Sequence, residues 1–347
     1  MVDRPEARRV NTRIVARGGG VAIAIAFVVV SLLMLGINTI PSLRFADEPS
    51  VLPLQIVALL AGAVLAVCIG LIDDIWQIRA RYQFLGQFAL ALFAVALGVT
   101  VKVVNVPLGD GTFHTGAIGA GVIAAVITVV WIVGMINSIN FIDGLDGLST
   151  GITFIAAMTL GVISLFVSTP REPLVALFCL ILAGALLGFL KWNFNPASIF
   201  TGTSGIMFVG YVLSVLAVMG AGKVAVAALV LGVPIMDTFW IIVRRTAARR
   251  SPFSPDRNHI HHRLLDLGLS HRGTVMLIYC VCLLLAVLSL VLSNASQLYA
   301  FMGLILLFGL ALYLIERLGG GATAIDESLD ADTYDTDGTS GNGAEAK

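Results

Sequence analysis

Long apolar stretches alternate with short polar segments along most of the chain. A membrane-spanning helix needs roughly 20 mostly apolar residues, and ten stretches come close to that length. We therefore predict an all-α polytopic membrane protein with about ten transmembrane helices. The predicted helices lie near residues 20–40, 52–72, 84–104, 117–137, 148–168, 173–190, 199–219, 224–243, 274–292 and 297–316.

The polar segments between these helices differ in charge between the two sides of the membrane. One side receives residues 1–19, 73–83, 138–147, 191–198, 244–273 and the C-terminal tail. Most Lys and Arg residues fall on this side, because the opposite loops hold only Arg44, Lys102, Arg171 and Lys223. Lys and Arg accumulate in the cytoplasmic loops of membrane proteins. We therefore predict that this side faces the cytoplasm across the plasma membrane.

The chain divides into three predicted regions. Residues 1–19 are rich in Arg and form a cytoplasmic basic N-terminal segment, and residues 20–316 form the transmembrane domain. Residues 317–347 are rich in Asp, Gly and Thr and have no apolar period. Such a composition is typical of a disordered segment, so we predict an acidic cytoplasmic tail there.

The composition agrees with a membrane protein. Hydrophobic residues make up 58% and charged residues 12% of the 347 residues, whereas charged residues make up about 25% of soluble domains. The 21 basic and 21 acidic residues cancel, so the net charge gives no sign of a nucleic-acid partner, and we expect none. All four Cys residues lie within apolar stretches, which argues against a disulfide framework or a zinc site.

Two adjacent carboxylates, Asp73 and Asp74, end the second predicted helix in the segment GLIDDIWQIRA. Acidic residues at a membrane boundary often mark ion sites, proton relays or catalysis. Like charges this close raise one pKa unless a cation is shared between them. The alternative interpretation is a hydrated loop with two solvated carboxylates.

A second polar cluster follows the fourth predicted helix in the segment NSINFIDGLDGLSTG. It contains Asn137, Asn140, Asp143 and Asp146, with glycines between the carboxylates. Carboxylate and amide oxygens suit a hard cation such as magnesium. A calcium loop is disfavoured because the twelve-residue pattern with its terminal Glu is absent. Solvated turn chemistry is the remaining alternative.

A third cluster combines histidines and arginines in the segment RRTAARRSPFSPDRNHIHHRLLDLGLSHR. His259, His261 and His262 lie between Arg257 and Arg263. Guanidinium groups bind phosphate oxygens bidentately, so this segment suits a diphosphate. Zinc is the alternative for the histidines, although no Cys is near and the HExxH spacing is absent. An anionic lipid surface is the alternative for the arginines.

The segment KWNFNPASIFTGTSG adds Asn193, Asn195 and Thr203 on the same predicted side. These amides and hydroxyls suit a nucleotide or a sugar, although such residues also form ordinary turns. All four clusters share one membrane face. Carboxylates for a divalent ion, basic groups for phosphates and an apolar bundle for a lipid tail together indicate phosphoryl transfer from a soluble nucleotide to a lipid.

Several motifs in the same order resemble a known family. GLIDD, NSINFIDGLDGLSTG, NFNPA, PIMDTFWIIVRR and SPFSPDRNHIHHRLLDLGLSHR are similar to the polyprenyl-phosphate N-acetylhexosamine-1-phosphate transferases of glycosyltransferase family 4. That superfamily also includes the phospho-MurNAc-pentapeptide translocase. The motif HIHHRL resembles the branch that uses UDP-GlcNAc. The resemblance implies transfer of a sugar 1-phosphate from a UDP sugar to undecaprenyl or decaprenyl phosphate, with release of UMP, to initiate a cell-envelope glycan.

The resemblance also implies roles for individual residues. Asp73 or Asp74 would orient or deprotonate the lipid phosphate. Asn140, Asp143 and Asp74 would hold Mg2+, with Mn2+ as the alternative ion. The further catalytic residues are Asp146, His259, His261 and His262, and the substrate-binding residues are Asn137, Asn193, Asn195, Thr203, Arg257 and Arg263. We also expect a homodimer.

Three residues depart from the family pattern. Thr203 stands where the family commonly has a metal-binding Asp, Asn11 replaces the usual His, and Gln83 replaces the usual Lys. A hydroxyl is a weaker magnesium ligand than a carboxylate. An active subgroup with a rearranged site and a substrate-binding paralogue with impaired catalysis are both compatible with these changes. An ion-coupled transporter is a third alternative, but its carboxylates should lie near the bilayer midplane.

Overall fold

Helices dominate the computed structural model of the protein. It describes residues 2–3, 15–45, 53–101, 103–105, 112–114, 118–169, 171–220, 223–247, 259–292, 296–297, 299–307 and 309–310. The residues up to Phe301 form one compact unit. In the second unit, Met302–Lys347, residues 302–307 and 309–310 are helical. The predicted tail, 317–347, lies outside the described residues, as do Asn11 and Arg257.

The helices and strands are labelled in chain order. Helices α1 to α11 comprise Gly19–Asn38, Pro53–Trp76, Ala80–Ala96, Ile118–Ile142, Leu148–Val162, Pro173–Asn193, Gly202–Met219, Lys223–Val230, Gly232–Ala247, Ile260–Asp266 and His271–Val291. A π-helical turn, Ile163–Val167, continues α5, and a 3-10 turn, Pro41–Leu43, follows α1. Strands β1 to β5 comprise Val2–Asp3, Val15–Arg17, Val103–Asn105, Thr112–His114 and Ile199–Phe200.

Seven helical segments in the described part are long and apolar enough to cross a membrane. They are Gly19–Asn38, Pro53–Trp76, Gly121–Ile142, Leu148–Val167, Pro173–Asn193, Gly202–Met219 and His271–Val291. The bent pair formed by α8 and α9 adds an eighth if it is counted as one span. The predicted class, an all-α multi-pass membrane protein, is therefore confirmed. The predicted count of ten is not confirmed, and the tenth stretch lies partly outside the described residues.

Two predicted helices differ from the structure. The third was predicted over 84–104, but α3 ends at Ala96 after 17 residues, and Gly98 then turns the chain with a φ of 85°. The eighth was predicted as one span over 224–243, but α8 and α9 meet at an angle of 76°. Pro234 lacks the N–H that would bond to the carbonyl of Val230, the last residue of α8. Apolar character does not reveal such breaks.

Helix α7 is the central helix of the bundle and packs against α1, α2, α4 and α8. Nearly every residue from Ser204 to Met219 is buried, as expected for a helix that is apolar on all sides. The Tyr211 hydroxyl donates to the carbonyl of Ala58 at 2.8 Å. The rings of Phe27 and Phe208 meet edge to face at 5.6 Å. This packing fixes the first turn of α7 at one end of the bundle.

The segment before α1 is held against the start of α7. Strand β2 pairs in parallel with β5, with Arg17 opposite Phe200. The Gly20 N–H donates to the carbonyl of Thr201 at 2.9 Å. A Cβ atom on Gly20 would lie 2.0 Å from the Gly205 nitrogen, so only glycine permits this approach. The three consecutive glycines after Arg17 therefore bring that residue to the end of the bundle where α7 begins.

Candidate active site

The carboxylate of Asp74, in the last turn of α2, binds the first turn of α7. Its oxygens accept from the backbone N–H of Thr203 at 2.8 Å and from that of Ser204 at 3.0 Å. The Ser204 hydroxyl donates to it at 2.7 Å. The free N–H groups and the dipole of a helix N-terminus favour a carboxylate at this position. Gly202 has a φ of 71°, and a Cβ atom there would lie 2.7 Å from an Asp74 oxygen.

The neighbouring carboxylate, Asp73, is less well satisfied. The residue is 8% exposed, and its Oδ1 atom is buried without a hydrogen-bond partner among the residues that the structure describes. Leaving a buried acceptor unpaired is costly, and more so when the group is charged. Asp73 therefore offers an oxygen to a cation or to a donor from a ligand.

Asp143 occupies the turn between α4 and α5, and its Oδ1 atom accepts from the Ser149 hydroxyl. Burial raises the pKa of the Asp143 carboxyl to about 6, against the lowering effect of the Ser149 hydrogen bond. The charge of Arg17 also lowers this pKa, while the carboxylates of Asp146 and Asp74 raise it. Three carboxylates and one guanidinium thus interact electrostatically, although they come from distant parts of the sequence.

The two asparagines of the NFNPA segment form one wall of the site. Asn195 donates through Nδ2 to the Asp146 carboxylate at 3.0 Å, and its carbonyl accepts from Arg272 at 2.8 Å. Asn193 is buried, accepts from the Thr150 hydroxyl at 2.7 Å and donates to the carbonyl of Ile199 at 3.0 Å. Asn193 therefore fixes the wall, while Asn195 holds Asp146 in place.

The histidine segment packs against the same turn. His261 is 1% exposed, and neither of its ring nitrogens has a partner in the described ranges. A Cβ atom on Gly144 would lie 2.1 Å from His261 Nε2, so the ring lies directly over the turn that carries Asp143. Burial lowers the pKa of His261 to about 2, with the neighbouring histidines acting in the same direction. His261 is therefore neutral at physiological pH.

The other two histidines of the HIHH motif lie beside His261. The rings of His259 and His261 are nearly parallel with centroids 5.5 Å apart, and His262 lies 4.3 Å from His261. His259 Nδ1 lies 2.7 Å from Asp237 Oδ2. Arg263 lies in the short helix α10 with a partly buried side chain. The histidine motif thus approaches the carboxylates through His261. Asp237 fixes His259, the first histidine of the motif.

The remaining predicted residues of α4 and α7 make other contacts. Asn137 lies within α4 and donates to the Gln87 side chain of α3 at 2.6 Å. Asn140, one turn further along α4, is partly buried. Thr203 contacts Asp74 through its backbone N–H. The side chain that replaces the expected Asp thus leaves that contact in place.

The donor set fits a magnesium ion that is only partly held by protein. No group of three His, Cys, Asp or Glu side chains within the described ranges could hold a metal ion. Magnesium usually takes one or two carboxylates and completes its shell with water and substrate phosphates. Asp73 has an unpartnered oxygen. Asp74 already accepts three hydrogen bonds, which leaves about one of its four acceptor positions.

Two residues of this region were missed in the sequence. Arg17 interacts electrostatically with Asp143, which lies more than 100 residues further along the chain. Asp237 in α9 binds His259. A carboxylate within an apolar stretch is itself a signal, because such a residue is rarely tolerated without a function. The run of three glycines after Arg17 was a second signal, because glycines permit close backbone approach.

Comparison with known proteins identifies the relatives of this chain. The profile of Glycosyl transferase family 4 matches residues 56–221. A probable undecaprenyl-phosphate N-acetylglucosaminyl 1-phosphate transferase of Bacillus subtilis is 35% identical over 301 residues, which cover 85% of this chain and 78% of the relative. A decaprenyl-phosphate N-acetylglucosaminephosphotransferase of Mycolicibacterium smegmatis is 34% identical, over 93% of this chain and 83% of the relative. The undecaprenyl-phosphate alpha-N-acetylglucosaminyl 1-phosphate transferase of Escherichia coli is 26% identical, over 74% and 70%.

These similarities extend over most of the chain and include the segments that form the carboxylate turn and the start of α7. They confirm the family expected from the motifs. The chain belongs to glycosyl transferase family 4.

Proposed function

We propose that the protein transfers N-acetylglucosamine 1-phosphate from UDP-GlcNAc to undecaprenyl or decaprenyl phosphate and releases UMP. This reaction is the initiating step of a cell-envelope glycan. The observation that carries the proposal is the convergence of Asp74, Asp143 and His261 at one end of an apolar bundle. The names of the relatives support the sugar phosphate and the polyprenyl acceptor.

The proposed reaction exchanges one phosphorus–oxygen bond for another. An oxygen of the lipid phosphate attacks the phosphorus attached to the sugar, and a new diphosphate bond forms. The bond from that phosphorus to the bridging oxygen breaks, and the bridging oxygen leaves as part of UMP. Such transfer depends mainly on positioning and on stabilisation of negative charge.

The carboxylates would organise the acceptor side of the reaction. Asp73, with its unpartnered buried oxygen, would orient the lipid phosphate or take its proton. Asp143, Asn140 and Asp74 would hold Mg2+, with Mn2+ as the alternative. When bound, the ion would neutralise charge on the diphosphate. Asp74 would also keep α7 in register with α2, because it binds the first turn of α7.

The basic and amide residues would organise the donor. His259, His261 and His262, with Arg257 and Arg263, would contact phosphate and sugar. Asp146, held by Asn195, would contact the nucleotide or support the metal. Asn193 would shape the pocket wall, Asn137 would support the end of α4, and Thr203 would bind substrate beside Asp74.

We also propose that the site faces the cytoplasm across the plasma membrane. The segments beside the site carry most of the Lys and Arg residues, and such segments remain in the cytoplasm. A nucleotide sugar is a soluble substrate, whereas the acceptor's chain lies in the bilayer, so a site at the membrane boundary can bind both. The homodimer stays a prediction.

The test is a transfer assay with the full chain in lipid nanodiscs. Radiolabelled UDP-GlcNAc, UDP-GalNAc and UDP-glucose are each supplied with undecaprenyl phosphate and magnesium. We expect labelled lipid and UMP in equal amounts with UDP-GlcNAc, abolition by EDTA, and recovery with added Mg2+ or Mn2+. Labelled lipid from another UDP sugar alone would contradict the proposed substrate, and transfer that persists in EDTA would contradict the proposed cofactor.

A binding paralogue with impaired catalysis is the second candidate, and Thr203 is the observation that motivates it. The structure favours activity, because the contact of position 203 with Asp74 uses the backbone N–H. The same assay separates the two candidates. Saturable binding of UDP-GlcNAc without UMP release would favour the paralogue.

A further inference from the structure

Asp237 is a buried carboxylate in α9 whose partner is a histidine of the HIHH motif. The residue is 2% exposed. Its Oδ2 atom lies 2.7 Å from His259 Nδ1, and its Oδ1 atom accepts from the Ile260 backbone N–H at 2.9 Å. The side chain therefore binds both the ring of His259 and the first residue of α10.

With Asp237 ionised, the contact specifies which nitrogen of His259 carries hydrogen. An ionised carboxylate can only accept hydrogen bonds, so Nδ1 must donate to Asp237. In a neutral imidazole, Nε2 is then the acceptor, and in a charged imidazole both nitrogens donate. In either state, Nε2 is the nitrogen that remains for another group.

Two other rings lie beside the ring of His259. The ring of Phe141 lies 5.7 Å from it, and His261 is stacked on it at 5.5 Å. Phe141 is two residues before Asp143, so the ring lies beside the carboxylate turn. Nδ1 and Nε2 occupy different edges of the imidazole. Because Nδ1 is bound to Asp237 of α9, the Nε2 edge is not the one that contacts this carboxylate. Within the described part of the chain, no hydrogen-bond partner meets Nε2.

We propose that Asp237 is a positioning residue for the transfer reaction, because it holds His259 with Nδ1 protonated and presents Nε2 as a hydrogen-bond acceptor to a hydroxyl group of the nucleotide sugar. This inference rests on the proposed function. Asp237 itself touches no substrate and acts through His259. Carboxylates that bind the far nitrogen of a functional histidine fix its tautomer and its orientation in the same way.

A purely structural role would make Asp237 only an anchor for the start of α10, and D237N separates the two roles. The Asn oxygen can still accept from the Ile260 N–H. Its NH2 group faces Nδ1 as a donor, so Nδ1 must become the acceptor and Nε2 the protonated nitrogen. The anchor is kept while the tautomer is inverted.

The kinetic test measures UMP release by the full chain in nanodiscs. We expect D237N to lower kcat at least about 30-fold, because a histidine held in the wrong tautomer cannot exchange protons or hydrogen bonds as before, with the KM for UDP-GlcNAc changed less than about threefold. The matched control is T238V in the same helix, since the buried Thr238 hydroxyl has no partner in the described part. We expect T238V to keep kcat within about twofold.

The spectroscopic test is independent of turnover. The chain has only five histidines, so 15N-histidine labelling gives a simple spectrum in which H259N identifies the signals of His259. We expect protonated Nδ1 in the wild type and protonated Nε2 in D237N, with equal thermal stability. We also expect UDP-GlcNAc to shift the wild-type Nε2 signal.

The possible outcomes distinguish failure of the positioning role from failure of the proposed function. An unchanged kcat in D237N, or a wild-type His259 with unprotonated Nδ1, would overturn the positioning role. If the wild type transfers no GlcNAc 1-phosphate, the proposed function fails. The positioning role is then decided by the nitrogen signals, and it is overturned if UDP-GlcNAc leaves the Nε2 signal unshifted.

Discussion

Two buried acidic regions of this protein are held in opposite ways. At the start of α6, Glu172 forms an ion pair with Lys223, which begins α8 and is 1% exposed. These residues lie at the ends of α6 and α7 that are remote from the site. At the site, Asp74 is held by backbone N–H groups and a hydroxyl, Asp143 by a hydroxyl, and Asp146 by an amide and a backbone N–H.

The difference concerns where the balancing positive charge comes from. The remote end contains its own cation, so the negative charge of its carboxylate is already balanced. At the site, mostly neutral donors hold the carboxylates in position and leave much of their negative charge uncompensated. An external cation is therefore expected at the site and not at the remote pair.

The largest expected effect is that of D143N at the site. The amide keeps the shape and can still accept from the Ser149 hydroxyl, but it removes the charge that would hold magnesium. We expect UMP release to fall by about 100-fold or more, with unchanged thermal stability. The S149A variant, which keeps the carboxylate, serves as the comparison and should lose much less. Turnover of D143N equal to the wild type at equal expression would remove Asp143 from the site.

The next largest effect is expected from R17A, which removes the guanidinium whose charge lowers the pKa of Asp143. Loss of an outer partner of a metal-binding group typically lowers metal affinity or activity by roughly 10- to 100-fold. We expect a loss within that range, measured as kcat/KM for UDP-GlcNAc, and a partial recovery in R17K. An unchanged kcat/KM in R17A would mean that the guanidinium acts neither on Asp143 nor on the substrate.

A smaller effect is expected from G144A. The new Cβ atom would lie 2.1 Å from His261 Nε2, so the histidine ring must move away from the carboxylate turn. We expect about a tenfold loss of kcat, because small displacements in an active site are costly. The control is G134A in the preceding helix α4, where a Cβ atom would have no neighbour within 4 Å. Equal activity of the two variants would show that His261 need not contact the turn.

The smallest effect on turnover is expected at the remote pair. Removal of one partner of a buried ion pair typically destabilises a protein by about 3–5 kcal/mol, whereas replacement of both partners is often neutral. We expect K223M to lower the thermal midpoint and the double variant K223M/E172Q to recover most of it. The kcat of the folded enzyme and its magnesium requirement should stay within about twofold. A changed magnesium requirement would break the distinction between the two regions.

Much of the helical arrangement was predictable because it depends on local properties. A helix in lipid satisfies its own backbone hydrogen bonds, so an apolar stretch of sufficient length predicts a span, as for α1, α2 and α6. The predictions were wrong for α3 and for the α8–α9 pair, where Gly98 and Pro234 change the backbone without changing the apolar character of the stretch. The length of an apolar stretch therefore does not show whether the predicted helix is continuous.

The sequence by itself determined the class of the protein, its family and the residue types available to the reaction. Apolar length and motif order are properties of the linear chain. The tertiary structure alone decided that Asp74 binds α7 while Asp73 keeps an unpartnered oxygen, and that Arg17 influences Asp143. It also decided that Asp237 binds His259. Hydrogen bonds and charge interactions act over a few ångströms, and residues far apart in sequence come within that range only when the helices pack.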